Sequence, residues 1–300
     1  MLNRRLRAGL LTSVAALVIA VGAGAPAAGA ATSTNWAGYA AARSGVKFRH
    51  VSATWVQPAV TCTAGTPSYS STWVGLGGDS TASKALEQIG TEADCSASGT
   101  AHYSTWYELV PDVSHSAKLV LNAGDRVHAS VAVSGQLVTV TLSDLTRGSH
   151  FTKVLRASAI DVTSAEWIVE APSLCEDASL SSCAIGALAD FTSTSFSAAT
   201  ATTVAGHTGT IADTAWHATA ISLAAGGDGG RRFAQDSSSA ATADVQASAG
   251  ALDATGSAFA VAFQQSAATV TTEPEGGGGS GPGAGGPGGG AGPGFTRRQG

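Results

Sequence analysis

Between about residues 34 and 270 apolar positions recur in short alternating runs, and no stretch sustains the three-to-four-residue repeat of an amphipathic helix. Strands are predicted at 51–56, 72–76, 85–89, 105–110, 117–121, 126–133, 137–142, 153–155, 165–170 and 258–264, separated by Gly, Ser, Asp and Pro breaks. Val127, Ala129, Val131 and Val133 alternate with other residues, as do Val138, Val140 and Leu142, so these two runs form a hairpin around Ser134-Gly135. Many short strands at near-regular spacing predict a sandwich or barrel with a substantial core.

One run departs from simple alternation. In Ala165-Glu166-Trp167-Ile168-Val169-Glu170 the face made by Ala165, Trp167 and Val169 is apolar, whereas Ile168 shares its face with two carboxylates. Acids on an otherwise core-forming strand cost free energy if they are buried without partners. The ordinary solution is a solvated outer face; the alternative is a polar site. Trp73, Gly75 and Gly77 also share a face, which sets an aromatic wall beside two positions with no side chain, either a groove floor or a point of close packing. Trp106 and Glu108 share a face in the same manner, and Glu87 and Gln88 point to opposite sides, so that one of them is directed inward. A Glu and a Gln facing each other across a groove would make a hydrolytic pair. The carboxylate takes a proton from water as it attacks a carbonyl, and the amide NH2 donates to the oxyanion that forms.

Composition narrows the setting. The chain has 300 residues, 44% hydrophobic and only 12% charged, which suits one large extracellular β domain. Arg4, Arg5 and Arg7 precede an apolar run from Ala8 to about Ala23 and small residues ending Ala28-Gly29-Ala30, the pattern of a secretory signal peptide cut after Ala30. The domain is then expected over 31–272, exported and monomeric. The apolar run is shorter than the roughly 20 residues a membrane span needs, and no later stretch could cross a bilayer. Without the three signal arginines, 13 basic side chains face 21 acidic ones, a formal charge of −8 that argues against a nucleic-acid partner. Cys62, Cys95, Cys175 and Cys183 make two disulfides with three possible connectivities; Cys175 and Cys183 are the natural local pair, which leaves Cys62 with Cys95. A zinc site lacks both CxxC and a His at ligand spacing. Residues 276–294 hold 13 Gly among Ser, Ala and Pro, so 273–300 is expected to be a flexible tail. The GxSxG, HExxH and Asp-Thr-Gly or Asp-Ser-Gly signatures are missing, and no cysteine is left over as a nucleophile.

Six motifs then carry a resemblance. Asn35-Trp36-Ala37-Gly38-Tyr39, Val51-Ser52-Ala53-Thr54-Trp55-Val56, Trp73-Val74-Gly75-Leu76-Gly77-Gly78-Asp79, Leu86-Glu87-Gln88-Ile89-Gly90, Trp106-Tyr107-Glu108 and the Ala165 to Glu170 run occur in the order seen in the eqolisins, the glutamic endopeptidases. The resemblance spans about Asn35 to Phe263. It implies a lectin-like, concanavalin-type sandwich of two antiparallel sheets with a concave face for polypeptide substrates, acid-pH activity, and no metal or cofactor. Carried over residue by residue, Gln88 and Glu170 take the catalytic positions, with Glu166 in support, and Trp73 and Glu108 match positions lining the site; Gly75 and Trp106 complete the candidate substrate face. The chain departs from the family at Gly77, where Asp is common, and in having almost nothing between Ala30 and Thr34 where fungal members carry a propeptide. Its cysteines agree with the family in the Cys175 to Cys183 loop but not clearly at Cys62. Two other readings use the same residues: a non-catalytic lectin-like module stacking sugars or peptides on Trp73 and Trp106, and a glycosidase with Glu108 and Glu170 about 5 to 9.5 Å apart.

Overall fold

The computed structural model describes residues 29–175, 183–225, 244–264 and 296–298. Residues 1–28 of the expected signal peptide, the 176–182 loop and the expected tail apart from 296–298 lie outside them. The described residues form strands and no helix. The first six are β1 (Gly29–Ser33), β2 (Trp36–Ala42), β3 (Phe48–Val56), β4 (Ser71–Leu76), β5 (Leu86–Cys95) and β6 (Ala101–Val110). After β7 (His115–Ser116) come β8 (Arg126–Ser134), β9 (Leu137–Asp144), β10 (Ser149–Arg156) and β11 (Ser164–Glu170). The remainder are β12 (Ser173–Cys175), β13 (Cys183–Ile185), β14 (Ser193–Thr203), β15 (Thr208–Thr210), β16 (His217–Ala225), β17 (Asp244–Ala249), β18 (Phe259–Phe263) and β19 (Thr296–Arg298).

Most of them join one ribbon in the order β10-β9-β8-β3-β14-β18-β17-β16-β2-β11-β4-β5-β6-β7, with β1 added in parallel to β16 and β15 to β14. The ribbon doubles over itself, so that β3 and β8 lie across β4, β8 and β9 across β5, and β3 across β11. This is a sandwich. Its interior takes one face of each strand: Ala165, Trp167 and Val169 of β11, Val74 and Leu76 of β4, and Ile89 of β5 meet Val51, Ala53 and Trp55 of β3 and the alternating valines of β8 and β9. Buried indole N–H groups find acceptors across the two layers, Trp55 Nε1 on Thr91 Oγ1 at 3.1 Å and Trp167 Nε1 on Ser52 O at 3.0 Å. The predicted hairpin is present, with Ser134 opposite Leu137 and Gly135 at φ 60° in the turn.

Residues 117–121 are not a strand. Lys118 sits at φ 55°, outside the extended region, and the segment is held by the Thr105 hydroxyl, which accepts from Leu119 N at 3.1 Å and donates to Leu119 O at 3.0 Å. Conversely β2, β14, β16 and β17 were not among the predicted strands; their many Ala residues give little β propensity, and each is paired on both sides. Disulfides join Cys62 to Cys95 and Cys175 to Cys183. The second ties β12 to β13, immediately after Glu170 in the chain, and β19 pairs with the other edge of β12.

The other face of β11, β4, β5, β6, β2 and β16 carries a second, smaller apolar cluster: Trp36, Ala40, Trp73, Leu86, Trp106, Val110, Ile168 and Ile221. Strand β11 is therefore buried on both faces along its whole length, and the solvated outer face that its acids would ordinarily occupy is not what it has. Gly75 belongs to the close packing here. A Cβ on it would lie 2.9 Å from Trp73 Cζ3 and 3.0 Å from Leu86 Cδ1. Gly75→Ala is accordingly expected to destabilise the fold by roughly 1–3 kcal/mol through overpacking, read as a lower urea midpoint; an unchanged midpoint would show that this spot has slack.

Candidate active site

Register places the polar candidates in cross-strand rows on the second face. Glu166 of β11 stands opposite Gly75 of β4, Gly75 opposite Gln88 of β5, and Gln88 opposite Glu108 of β6. The next row is Ile168, Trp73, Gly90 and Trp106; the one beyond is Glu170, Ser71, Glu92 and Ser104. Period-two alternation puts all three rows on one side of the sheet. Gln88, Glu108, Glu166 and Glu170 are each 0% exposed, so whatever charge they carry must be matched by protein groups.

Glu170 is matched. Trp73 Nε1 donates to its Oε2 at 2.7 Å and Asn35 Nδ2 donates to its Oε1 at 3.0 Å. Each carboxylate oxygen thus has an N–H donor, an arrangement that favours the ionised form. Trp73 is itself braced edge-on by Trp36, ring centroids 5.1 Å apart. Asn35 reaches in from the β1–β2 connection, which is pinned to the end of β11 where Ala171 N donates to Asn35 O at 2.9 Å.

Gln88 is held differently. Its Nε2 donates to Glu108 Oε2 at 2.8 Å, which fixes the amide orientation, while its Oε1 has no partner. An amide nitrogen carries two hydrogens, so one N–H and the carbonyl oxygen remain for reacting groups. Trp106 packs with its ring 3.1 Å from where a Gly90 Cβ would be, and it shares the apolar cluster with Trp73. Both indoles are buried, at 3% and 0% exposure.

Glu166 contrasts with Glu170 four residues on. Neither of its oxygens has a hydrogen-bond partner. Burial pushes its carboxyl well above the ordinary range, the Ser164 hydroxyl opposes this, and the charges of Asp79, Asp161 and Glu87 add to it. Glu87, on the core side of β5 and equally buried, is pushed up to about 9, chiefly by burial, with the Asp161 backbone opposing and the Asp161 charge reinforcing. Asp161 is shifted the other way: burial pushes it up, but hydrogen bonds from Ser83 and Thr163 outweigh that and hold it below its ordinary value. It also explains Gly77. At φ 86°, a Cβ there would lie 2.6 Å from Asp161 O and 2.8 Å from Asp161 Cβ, so Asp161 occupies the space beside a residue that has to be glycine.

The structure thus gathers Trp73, Gly75, Gln88, Trp106, Glu108, Glu166 and Glu170 on one face. Asn35 stands in the first of the six motifs without a predicted role; a lone Asn before a strand carries no signal by which its long-range partner could be found. Among the described residues no group of three or more His, Cys, Asp or Glu is placed to hold a metal ion, and no helix is long and apolar enough to cross a membrane.

Comparisons with known proteins bear on the family and the fold. A family model described as Peptidase A4 family matches residues 34–230, more than half of the chain. No curated protein matches it. Among solved structures, scytalido-glutamic peptidase with a transition state analog inhibitor superposes with a TM-score of 0.60 at 23% identity, over 77% of this chain and 98% of that one. SCP-B, a member of the eqolisin family solved with the tripeptide Ala-Ile-His, does so with a TM-score of 0.56 at 22% identity, over the same shares. At such identities the likeness is one of fold.

The two raised carboxyls fix how stability depends on pH. A folded-state value above the unfolded one means that the protonated form is the one the fold prefers. Stability is then full below about 4.5 and is lost as pH rises toward about 9 for Glu87. Thermal midpoints are expected to fall steadily across that interval, and Glu87→Gln and Glu166→Gln each to flatten the slope. A midpoint that rises with pH, or a slope unaffected by both substitutions, would contradict the assignment.

Proposed function

The chain belongs to the Peptidase A4 family of glutamic peptidases, and from that premise we propose that Glu170 is the general base and Gln88 the oxyanion donor of an exported acid endopeptidase. The observation that carries the reading is the pair of N–H donors on Glu170, one per oxygen, on the face that also presents Gln88. An ionised carboxylate that keeps its charge at acid pH is what a base working there requires.

The reaction follows from these groups. Glu170 takes a proton from a water whose oxygen forms a bond to the scissile carbonyl carbon, and the remaining N–H of Gln88 donates to the carbonyl oxygen as it becomes an oxyanion. Glu108 keeps that N–H aimed, because it holds the other one. The proton on Glu170 then passes to the amide nitrogen as the C–N bond breaks, which returns the carboxylate to its starting state. No cofactor is needed. Trp73 positions Glu170, and Trp106, Gly75 and the apolar cluster shape the surface against which a polypeptide lies. Since the pair is buried, a peptide reaches it only when this face is uncovered.

The lectin-like reading and the glycosidase reading find less support. Trp73 spends its indole N–H on Glu170, and a Glu108–Glu170 pair would leave Gln88 without a task. Mature protein beginning at Ala31 is expected to cleave a denatured protein at acid pH and much less at neutral pH. Gln88→Ala should reduce kcat by about 10²–10³-fold, as measured on a quenched fluorescent peptide. Folded parent protein that cleaves nothing at any pH but binds a glycan saturably would overturn the reading in favour of a binding module; polysaccharide cleavage lost on changing Glu108 or Glu170 would overturn it in favour of a glycosidase.

A further inference from the structure

Ser33 is the last residue of β1, 2% exposed, and lies two residues before Asn35. Its hydroxyl makes three hydrogen bonds within the turn. It accepts from Asn35 N at 3.3 Å and from Trp36 N at 3.1 Å, and it donates to Asn35 Oδ1 at 3.2 Å. A hydroxyl has one donor and two lone pairs, so its capacity is fully used. That saturation has a directional consequence. With both lone pairs taken by backbone N–H groups, the hydroxyl hydrogen is committed to the Asn35 side chain, and only a carbonyl oxygen can receive it.

The Asn35 amide therefore has its oxygen turned to Ser33 and its nitrogen turned to Glu170. Were the amide reversed, its NH2 would face the hydroxyl hydrogen and its oxygen would face a carboxylate, a loss at both ends. We propose that Ser33 is a positioning residue for the catalytic base: through Asn35 it fixes the direction of the N–H donor on Glu170 Oε1. The proposal rests on the reading of Glu170 as the base. It adds a role for a residue outside every motif in the chain, supplied by the first strand of the domain.

The other titratable groups on this face around Glu170 are Glu166 on the same strand, Glu92 on β5 and Glu108 on β6; β1 and β2 contribute none. All three are acids, and the N–H donors from Asn35 and Trp73 oppose them by favouring the charged form of Glu170. Weakening one donor should let the base be protonated at higher pH, and activity at the acid end should fade earlier.

The test compares parent, Ser33→Ala, Ser33→Thr and Glu170→Gln, all as mature protein, by kcat and KM on one peptide across pH, with thermal midpoints measured alongside. Ser33→Ala is expected to lose about tenfold in kcat with KM nearly unchanged, the worth of one charge-assisted hydrogen bond. Its acidic limb should move to higher pH, and Ser33→Thr should restore both. A Ser33→Ala protein with a lower thermal midpoint and an unmoved acidic limb would show a structural turn residue only and would overturn the proposal. If Glu170→Gln cleaves as the parent does, the base assignment and the proposal fall together; if Glu170→Gln is inactive and the Ser33→Ala profile coincides with the parent's, the proposal alone fails.

Discussion

A central strand buried on both faces cannot carry two glutamates without dealing with their charge, and the way β11 does so organises the site. Glu170 receives an N–H group on each oxygen, Trp73 from β4 and Asn35 from the turn before β2, and such donors favour a carboxylate. Glu166, four residues away on the same face, has no such donors, and burial pushes its carboxyl well above the ordinary range. Equal chemistry on one strand is thereby placed in two environments, one with donors for a carboxylate and one that disfavours charge. Pairs of titratable groups whose environments push them apart are how one fold separates acid and base roles, and the proposed base is the member that has the donors.

The same constraint explains why the site is assembled from so many strands. Trp73 can reach Glu170 because β4 is hydrogen-bonded to β11, and Gly75 admits the Trp73 ring and Leu86 by having no side chain. Gln88 is one strand further out, and Glu108 one further still, so each polar group is oriented by its neighbour in the sheet rather than by residues near it in sequence. The layer of core side chains behind them, with Trp55 and Trp167 hydrogen-bonded across the sandwich, keeps the rows in register. Register matters more here than in an ordinary sheet, since a slip of one residue would exchange the acid-bearing and core faces of β11.

Much of this was legible in the chain. Alternation assigned Glu166, Ile168 and Glu170 to one face of β11 and Trp167 to the other, and it paired Trp106 with Glu108, because period two is a local property. The Cys62–Cys95 and Cys175–Cys183 pairing followed from proximity in sequence and parity of count. What escaped was non-local. Asn35 and Ser33 act through partners more than a hundred residues away or through the exact use of a hydroxyl's bonding capacity, and neither leaves a mark in composition. Strands such as β16, rich in Ala, have little intrinsic preference and are held by pairing with β2, β17 and β1. Residues 117–121 failed the other way: apolar spacing looked extended, but Lys118 turns to positive φ and the Thr105 hydroxyl takes both backbone groups of Leu119.

The account stands on Glu170 accepting the proton of the attacking water. The most direct measurement is the rate of peptide-bond cleavage by Glu170→Gln, a change that preserves volume and can still hydrogen-bond but cannot take a proton, with circular dichroism and thermal unfolding recorded on the same preparation. A folded protein with no detectable cleavage at any pH, beside an active parent, is the predicted result. Cleavage within a few-fold of the parent would contradict it.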